Sequence, residues 1–308
     1  MSKIANYDTL NYDYRKYWKN REYENKSEHI ALDSLLKGNE GNWFIDIGGS
    51  YGRLTPTYYE KYSNPVIIDY SLKTLQNNYE YIKQNYPNTI LIAANAYNLP
   101  FKDNTFDGGL MVRVLHHIDR PTDYFKEAHR VFSNNSVYIQ EYANKKHLKA
   151  MIKALLKFDF TIFNKEPYQQ PTKENYEGAR KGSNVPFLNY HPKWMKETLR
   201  ESGYIVIQER GASFLRLNLL KKILGVRLLL LLERISQKAF SWSQTSPSIF
   251  VKSIVNKGDF KTSKNSTLED ILVCPLCKGF LKIEKESAHC KECSKKFTKS
   301  KNIWDFRV

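Results

Sequence analysis

Cysteine is absent from the first 273 residues of this 308-residue chain, and all four cysteines fall at positions 274, 277, 290 and 293. The main body is therefore no disulfide-stapled scaffold, and four thiols gathered in one short stretch suit a metal ion better than two bridges. No run of 18 apolar residues occurs, so no segment reads as a membrane-spanning helix. The opening MSKIANYDTLNYDYRKYW also lacks the basic start, apolar middle and small-residue cleavage site of a secretory signal, which makes the cytoplasm the expected compartment. What is present is 41% hydrophobic residues, enough to bury the core of one full-sized domain and a small one.

Acidic residues are scarce in only part of the chain. Residues 1–144 carry 16 Lys/Arg against 17 Asp/Glu, residues 145–240 carry 19 against 8, and residues 257–308 carry 12 against 7. The net charge of +16 thus sits in the second half and the tail. That asymmetry points to an acidic partner there, RNA, an anionic membrane surface, or a phosphorylated or carboxylated substrate, with a lysine-rich solvated surface as the plain reading.

Charged and aromatic residues alternate at helical spacing from 9 to 37 and stop at Gly38, which predicts one or two leading helices. Seven short apolar runs follow: WFIDI, PVIID, TILIAAN, FDGGLMVRV, SVYIQEY, YIVIQER and SIFVKSIV. With helical stretches mostly between them, they predict an α/β fold with a layered sheet. Two segments break the rhythm, a helix and long Pro- and Asn-rich loop at about 142–190 and a leucine-rich insertion at about 211–247. The polar NKGDFKTSKNSTLED reads as a linker.

The first strand candidate ends in Asp46 and runs straight into Gly48, Gly49 and Gly52, a loop whose missing Cβ atoms let a ligand approach the backbone. It does not fit the dinucleotide pattern G-x-G-x-x-G, because Ser50 and Arg53 stand where the later glycines belong. The second candidate ends in Asp69, 17 residues beyond Gly52, where a carboxylate can take both hydroxyls of a ribose. Asn95 and the Arg113, His116, His117 group fall at the ends of the third and fourth candidates, and in an open parallel sheet these ends share one rim.

Taken in order, DIGGSYGRL, VIIDYS, ANAYNLPF, FDGGLMVRVLHHI and EAHRVFSNNSVYIQE resemble the successive motifs of class I methyltransferases that use S-adenosylmethionine, type 11 in particular. The resemblance implies a Rossmann-like, seven-stranded, mostly parallel sheet with helices on both faces. It assigns Asp46, Gly48, Gly49 and Gly52 to the loop around the methionine part of the cofactor, Asp69 to the ribose and Tyr70 to the adenine. Asn95, followed by Ala96, stands where the family usually has an aspartate that reads the adenine amino group, and its amide oxygen can accept the same bond. Arg113 follows the fourth strand on the methyl-transfer face. Two departures are visible: Ser50 replaces the middle glycine of D-x-G-x-G-x-G, and Asn134-Asn135-Ser136 replaces a P-G-G turn, although asparagine tolerates the left-handed backbone.

Transfer of a methyl group from a sulfonium needs alignment and exclusion of water more than a fixed catalytic triad. A hydroxyl or acidic carbon acceptor needs a base, for which His117, Glu141 and His191 are candidates, with Arg113 beside Glu141 as a prospective ion pair. Simpler readings exist for each: Asp46 and Asp69 as helix caps, His116 and His117 as packing or capping residues. In the second insertion Arg216, Arg227, Arg234 and Lys238 are spaced by 11, 7 and 4 residues, a basic edge on a helix otherwise of Leu and Ile. Such a helix lies in a membrane interface, roofs a greasy acceptor pocket, or packs on protein.

The tail reads C-x2-C, twelve residues, C-x2-C: two knuckles that give four thiolates in a tetrahedron suited to structural Zn2+, from Cys274, Cys277, Cys290 and Cys293. It is similar to the small zinc-ribbon activator of tRNA and release-factor methyltransferases, closing IWDF included, and to ribbons fused to some rRNA methyltransferases. The expected order is N-terminal helices (1–40), methyltransferase domain (41–256), linker (257–272) and zinc ribbon (273–308). The expected function is methyl transfer to a small-molecule or lipid-like acceptor in the cytoplasm or at the membrane periphery. The alternatives are methylation of rRNA or tRNA, and a non-catalytic cofactor-binding scaffold whose ribbon recruits a partner. Against RNA, the chain has no recognisable RNA-binding module and no N-P-P-[FY] tetrapeptide after the fourth strand candidate.

Overall fold

The segment expected to be helical before Gly38 splits in two in the computed structural model, into α1 (Tyr14–Trp18) and α2 (Glu22–Leu35). Residues 8, 14–169, 187–257 and 267–308 are described here; residues 170–186 of the expected loop and most of the expected linker lie outside them. On α2 the residues Tyr23, Ser27, Ala31 and Leu35 recur every fourth position and are buried, the period of one helix face. Gly38 adopts φ +72° just past its end, as a helix stop requires.

Every apolar run becomes a strand. The first five are β1 (Gly41–Ile47), β2 (Tyr62–Asp69), β3 (Ile90–Ala93), β4 (Phe106–Met111) and β5 (Phe132–Ala143), with α3 (Leu72–Asn85) and α4 (Pro121–Val131) crossing between them. After β5 come α5 (Leu148–Leu156), a two-residue antiparallel pair β6 (Tyr168–Gln169) and β7 (Leu188–Asn189), and α6 (Pro192–Glu201). The sheet is completed by β8 (Tyr204–Ala212) and, beyond α7 (Asn218–Ala239), by β9 (Ser248–Val255). The strand order is β3-β2-β1-β4-β5-β9-β8, with β9 antiparallel to both neighbours. The chain leaves β1 toward β2 on one side and later returns to β4 on the other, so a crevice opens above the β1/β4 junction.

Along β1 the pleat sends Trp43, Ile45 and Ile47 into one apolar layer and Phe44 into the other, beside Asp46. Asn135 takes φ +62°, so the asparagine turn before the main body of β5 adopts the left-handed form expected of it.

The sheet does not stop at seven strands. Beyond α8 (Leu268–Ile271) the tail forms β10 (Leu281–Ile283), β11 (Ser287–Cys290), β12 (Lys296–Ser300) and β13 (Ile303–Asp305). β13 adds in parallel to the outer edge of β3, pairing Trp304 with Ile92 and Asp305 with Ala93, and Phe306 N–H donates to the Ala93 carbonyl at 2.8 Å. Eleven strands thus make one sheet. An uncovered β3 would leave a row of unpaired backbone groups, and the tail removes that edge. Ile303, Trp304 and Phe306 are buried in the joint, each worth about 1.5–3 kcal/mol before the cost of ordering. A second attachment lies at the root of the tail, where Lys102 N–H donates to Ile271 at 2.8 Å, Val273 N–H to Pro100 at 3.0 Å, and Lys278 pairs with Glu127 at 2.8 Å.

In α7 the basic edge is present, but the opposite side differs from the Leu/Ile face expected. Arg227, Arg234 and Lys238 are exposed, Arg216 precedes the helix, and the axis kinks at Gly225. The buried residues are Leu229, Glu233 and Gln237. The Glu233 carboxylate accepts from the Tyr23 hydroxyl, Ser27 Oγ (2.9 Å), Gln237 Nε2 (3.0 Å) and the N–H groups of Ser213 (2.7 Å) and Phe214 (3.1 Å). Five donors replace water, which is how a charge can be buried without a cation. The network pins α7 to α2 and to the end of β8. Glu233→Ala leaves the Phe214 N–H and the Tyr23 hydroxyl without an acceptor, while Ser213 N–H keeps Ser27 Oγ at 2.8 Å, and at about 1–3 kcal/mol for each buried unsatisfied group, partly relaxed, the expected loss is roughly 3 kcal/mol. Denaturant midpoints measure it, and a loss near zero would mean that α7 is held by its leucines instead.

Candidate functional site

The crevice above β1 and β4 is a cleft with about 1170 Å³ of empty space, mouth included. Its lining brings together Asp46, Gly48, Gly49, Asp69, Tyr70, Asn95, Ala96, Arg113 and His117. Gly52, Glu141 and His191 are not part of that lining.

The loop after β1 is fixed by backbone. Gly48 and Gly49 N–H donate to the Ile68 carbonyl at 2.8 and 3.2 Å. Gly48 has φ +77°, and a Cβ there would stand 2.3 Å from Val114 Cγ2, so conformation and space both require glycine. Ser50, at the departure from the glycine pattern, holds φ +50° and turns its N–H onto Asp69 Oδ2 at 3.0 Å. Asp69 Oδ1 accepts from Ser71 N–H at 2.8 Å, and Ser71 in turn caps α3 by accepting from Thr74 N–H at 3.1 Å. One carboxylate therefore ties the glycine loop to the start of α3 and keeps lone pairs toward the cleft. Asp46 lies deeper, accepting from the Tyr58 hydroxyl at 2.9 Å. Asn95 Oδ1 accepts from Tyr97 N–H at 3.0 Å, which leaves one lone pair and the amide NH2 for a ligand.

The opposite wall is built on a buried carboxylate that sequence reading did not single out. Glu28 of α2 takes Arg53 Nη2 at 2.6 Å and Arg113 Nε at 2.7 Å and Nη2 at 2.5 Å. Burial alone would raise its pKa, but the two guanidiniums hold it below the usual carboxylate range. Arg53 also stacks on the Trp18 ring, 3.9 Å from its centre. The ion pair expected between Arg113 and Glu141 takes another form: the Arg113 side chain goes to Glu28, and its backbone N–H, at φ +63°, donates to Glu141 at 3.0 Å. Glu141 is buried behind Arg113 and bonded to Ser248 Oγ; desolvation raises its pKa. His191 is the N-cap of α6, with Nδ1 accepting from Lys193 N–H at 3.1 Å. His116 is buried, its Nε2 without a hydrogen bond and its ring against His117 and Phe187. Tyr14 and Tyr51 line the mouth. Glu28 was hidden because pairing across 85 residues leaves no trace in local pattern.

The four cysteine sulfurs lie within 4.8 Å of one another, with Cys274 and Cys293 3.7 Å apart and Cys277 and Cys290 3.4 Å apart. A tetrahedron with Zn–S of about 2.3 Å has S···S edges of about 3.8 Å, so the set fits zinc. Backbone N–H groups of the knuckles point at Sγ of Cys274, Cys277 and Cys290, which lowers each thiol's pKa, yet burial still pushes Cys274 up to about 12 and the neighbouring thiols keep Cys277 raised, and of these three only Cys290 is lowered, to about 7. A Cβ on Gly279 would meet Glu292 Cγ at 2.1 Å and Cys277 Sγ at 3.2 Å, so the first knuckle needs glycine.

Residues 45–139 match the family model described as a methyltransferase domain. An uncharacterized protein of Methanocaldococcus jannaschii is 26% identical over 210 residues, 67% of this chain and 78% of its own length. Among solved structures, the Haloferax volcanii complex between the Trm112 methyltransferase activator and a methyltransferase aligns with TM-score 0.53 at 11% identity, covering 82% of this chain and 98% of that one. The Burkholderia thailandensis 1,6-didemethyltoxoflavin-N1-methyltransferase, with bound 1,6-didemethyltoxoflavin and S-adenosylhomocysteine, aligns with TM-score 0.51 at 12% identity over 80% of this chain and 83% of that one. At these identities the likeness is one of fold.

Desolvation raises both carboxyls of the cleft from an ordinary 3.8, Asp46 to about 7 against the Tyr58 bond and Asp69 to about 6 against its two N–H bonds. The folded chain then holds protons that the unfolded chain has released, so this contribution to stability is full below about pH 4 and is lost as pH rises toward 7. A cationic ligand with hydroxyl donors favours the ionised forms. S-adenosylmethionine should therefore bind at least about fourfold more tightly at pH 7.5 than at 5.5, from the ionised fraction of Asp69 alone. Calorimetric titration at the two values checks this, and equal affinities would contradict it. Residues 45–139 match a methyltransferase-domain model, the sheet that contains them has the Rossmann-like fold of the two aligned methyltransferase structures, and the chain carries in addition a four-cysteine cluster that fits a zinc ribbon.

Proposed function

We propose that the chain transfers a methyl group from S-adenosylmethionine to a small-molecule or lipid-like acceptor held between Arg113, His117 and Ile118. The observation that carries this reading is the convergence in one cleft of Asp69, with lone pairs free of its backbone anchors, and the Arg113/His117 wall across from it. When bound, the cofactor supplies an electrophilic methyl group on a sulfonium. Asp69 takes the ribose hydroxyls, Asn95 and Tyr70 the adenine, and the glycine loop with Asp46 the amino-acid end. Arg113, fixed by Glu28 through its side chain and by Glu141 through its N–H, sets the far wall rigidly. Of the three base candidates His117 alone lines the cleft, and it would accept the acceptor's proton; Glu141 acts through Arg113 as a positioning residue. Val112, Val114 and Ile118 keep that side apolar, which suits a greasy acceptor and excludes water.

Tritiated cofactor offered with total lipid, small-molecule and RNA fractions tests the reading. Label should enter lipid or small molecules, Asp69→Ala should weaken cofactor binding roughly 100-fold for two lost bonds to a charged acceptor, and His117→Ala should lower transfer with cofactor affinity kept. Label confined to RNA, or none anywhere despite cofactor binding, would overturn it in favour of the alternatives.

A second observation bears on the tail. The methyltransferase of the Haloferax volcanii complex was solved with a separate activator, whereas here a ribbon within the chain covers β3 and sends Arg307 to Asp8 at 2.5 Å and to the Tyr70 carbonyl at 3.4 Å. Asp8 also accepts from Ser71 Oγ at 2.6 Å and Lys73 N–H at 3.0 Å. We infer that the ribbon serves in cis as a buttress for the ribose and adenine corner. Arg307→Ala should weaken cofactor binding about tenfold with the fold intact, since a charged bond is worth about 1.5–3 kcal/mol. Unchanged affinity would leave the ribbon as edge cover only.

A further inference from the structure

Among the described residues, a cluster of exposed apolar side chains lies outside the cleft. Between 148 and 163 only Ala154 and Ile162 are buried. Leu148, Ile152, Leu155 and Leu156 form one stripe of α5, continued by Phe158 and Phe160; Leu156 is 78% and Phe158 83% exposed. Lys149, Lys153 and Lys157, all exposed, recur every fourth residue along the adjoining edge. The outer side of α7 beyond its kink repeats the chemistry: exposed Leu228, Leu231 and Ile235 alternate with Arg227, Arg234 and Lys238. The turn that follows presents Trp242 at 80% exposure. It is tied to the root of α5, where Leu148 N–H donates to Thr245 at 2.9 Å and Asn144 Nδ2 to Gln244 at 2.6 Å. Residues 145–169 carry six lysines against two acids, and residues 216–242 six cations against one acid, the buried Glu233.

We propose that these two faces dock the protein on an anionic phospholipid bilayer. Aliphatic and phenylalanine side chains left in water at this density mark a contact surface, and the charge around them selects the partner. A second copy would set lysine stripe against lysine stripe in a two-fold contact. RNA would pair with the cations and leave the leucines wet. An anionic membrane satisfies both, with the apolar stripe entering the acyl boundary and the lysines reaching back to the phosphates. α5 springs from the C-terminal end of β5, the rim on which the cleft opens, so docking carries the cleft mouth to the lipid surface. The inference stands apart from the acceptor reading, because a docked enzyme can also use a soluble acceptor.

Co-sedimentation of the full chain with vesicles of one-third phosphatidylglycerol in phosphatidylcholine, and with phosphatidylcholine alone, tests it. The charge-neutral variant Leu155→Ser/Leu156→Ser/Phe158→Ser should partition onto anionic vesicles roughly tenfold less than wild type, from the lost apolar insertion, while S-adenosylmethionine affinity is retained. Lys149→Gln/Lys153→Gln/Lys157→Gln should lower binding to the anionic vesicles and flatten its salt dependence. Wild type that ignores anionic vesicles, or a serine variant that binds them equally, overturns the proposal. So does a wild-type dimer that the same serines dissolve without any vesicle binding, or binding to RNA in place of vesicles. A wild type that binds anionic vesicles but not S-adenosylmethionine would strike the methyl-transfer reading alone.

Discussion

The site depends on one carboxylate held at both oxygens. Asp69 receives the N–H of Ser50 from the glycine loop and of Ser71 from the first turn beyond β2, so the two turns that frame the cleft are one unit. Its position at the end of a buried parallel strand costs solvation, visible in the raised pKa, and that cost is what a ligand with hydroxyl groups and positive charge relieves on binding. Ser71 then passes the constraint outward, to Thr74 within α3 and to Asp8, which also meets Arg307 of the tail. The N-terminal segment, the Asp69 corner and the ribbon end converge on that side chain.

The ribbon is more than an appended module in this arrangement. Its cysteine set fits a structural metal ion, and its last strand extends the main sheet, so the tail and the cleft are connected through β13, Arg307 and the backbone of Tyr70. Parallel pairing to β3 uses backbone groups that every sheet edge offers, while Trp304 and Phe306 fill a shared core.

Much of this was legible in the sequence. The seven runs became seven strands because each is apolar and bounded by turn chemistry, and Asp46, Asp69, Asn95, Arg113 and His117 reached one rim because parallel strands place their C-terminal ends together. The cysteines announced themselves by spacing. Other features left no local mark. Glu28 joins Arg113 from α2, Glu233 gathers donors from three elements inside a helix that reads as greasy, and β13 recognises an edge by its backbone alone. His191, attractive as a base, turned out to cap α6, the ordinary use of a polar residue before a proline-started helix. Long-range pairing and backbone recognition decide these cases, and neither has a period or a motif.

In the proposed function the Asp69 corner clasps the nucleoside of the cofactor. A crystal structure of the protein with S-adenosylhomocysteine tests it directly. Ribose hydroxyls should lie within hydrogen-bond distance of Asp69, with the adenine beside Tyr70 and Asn95; a ligand seated elsewhere, or ribose turned away from that carboxylate, would contradict the proposal.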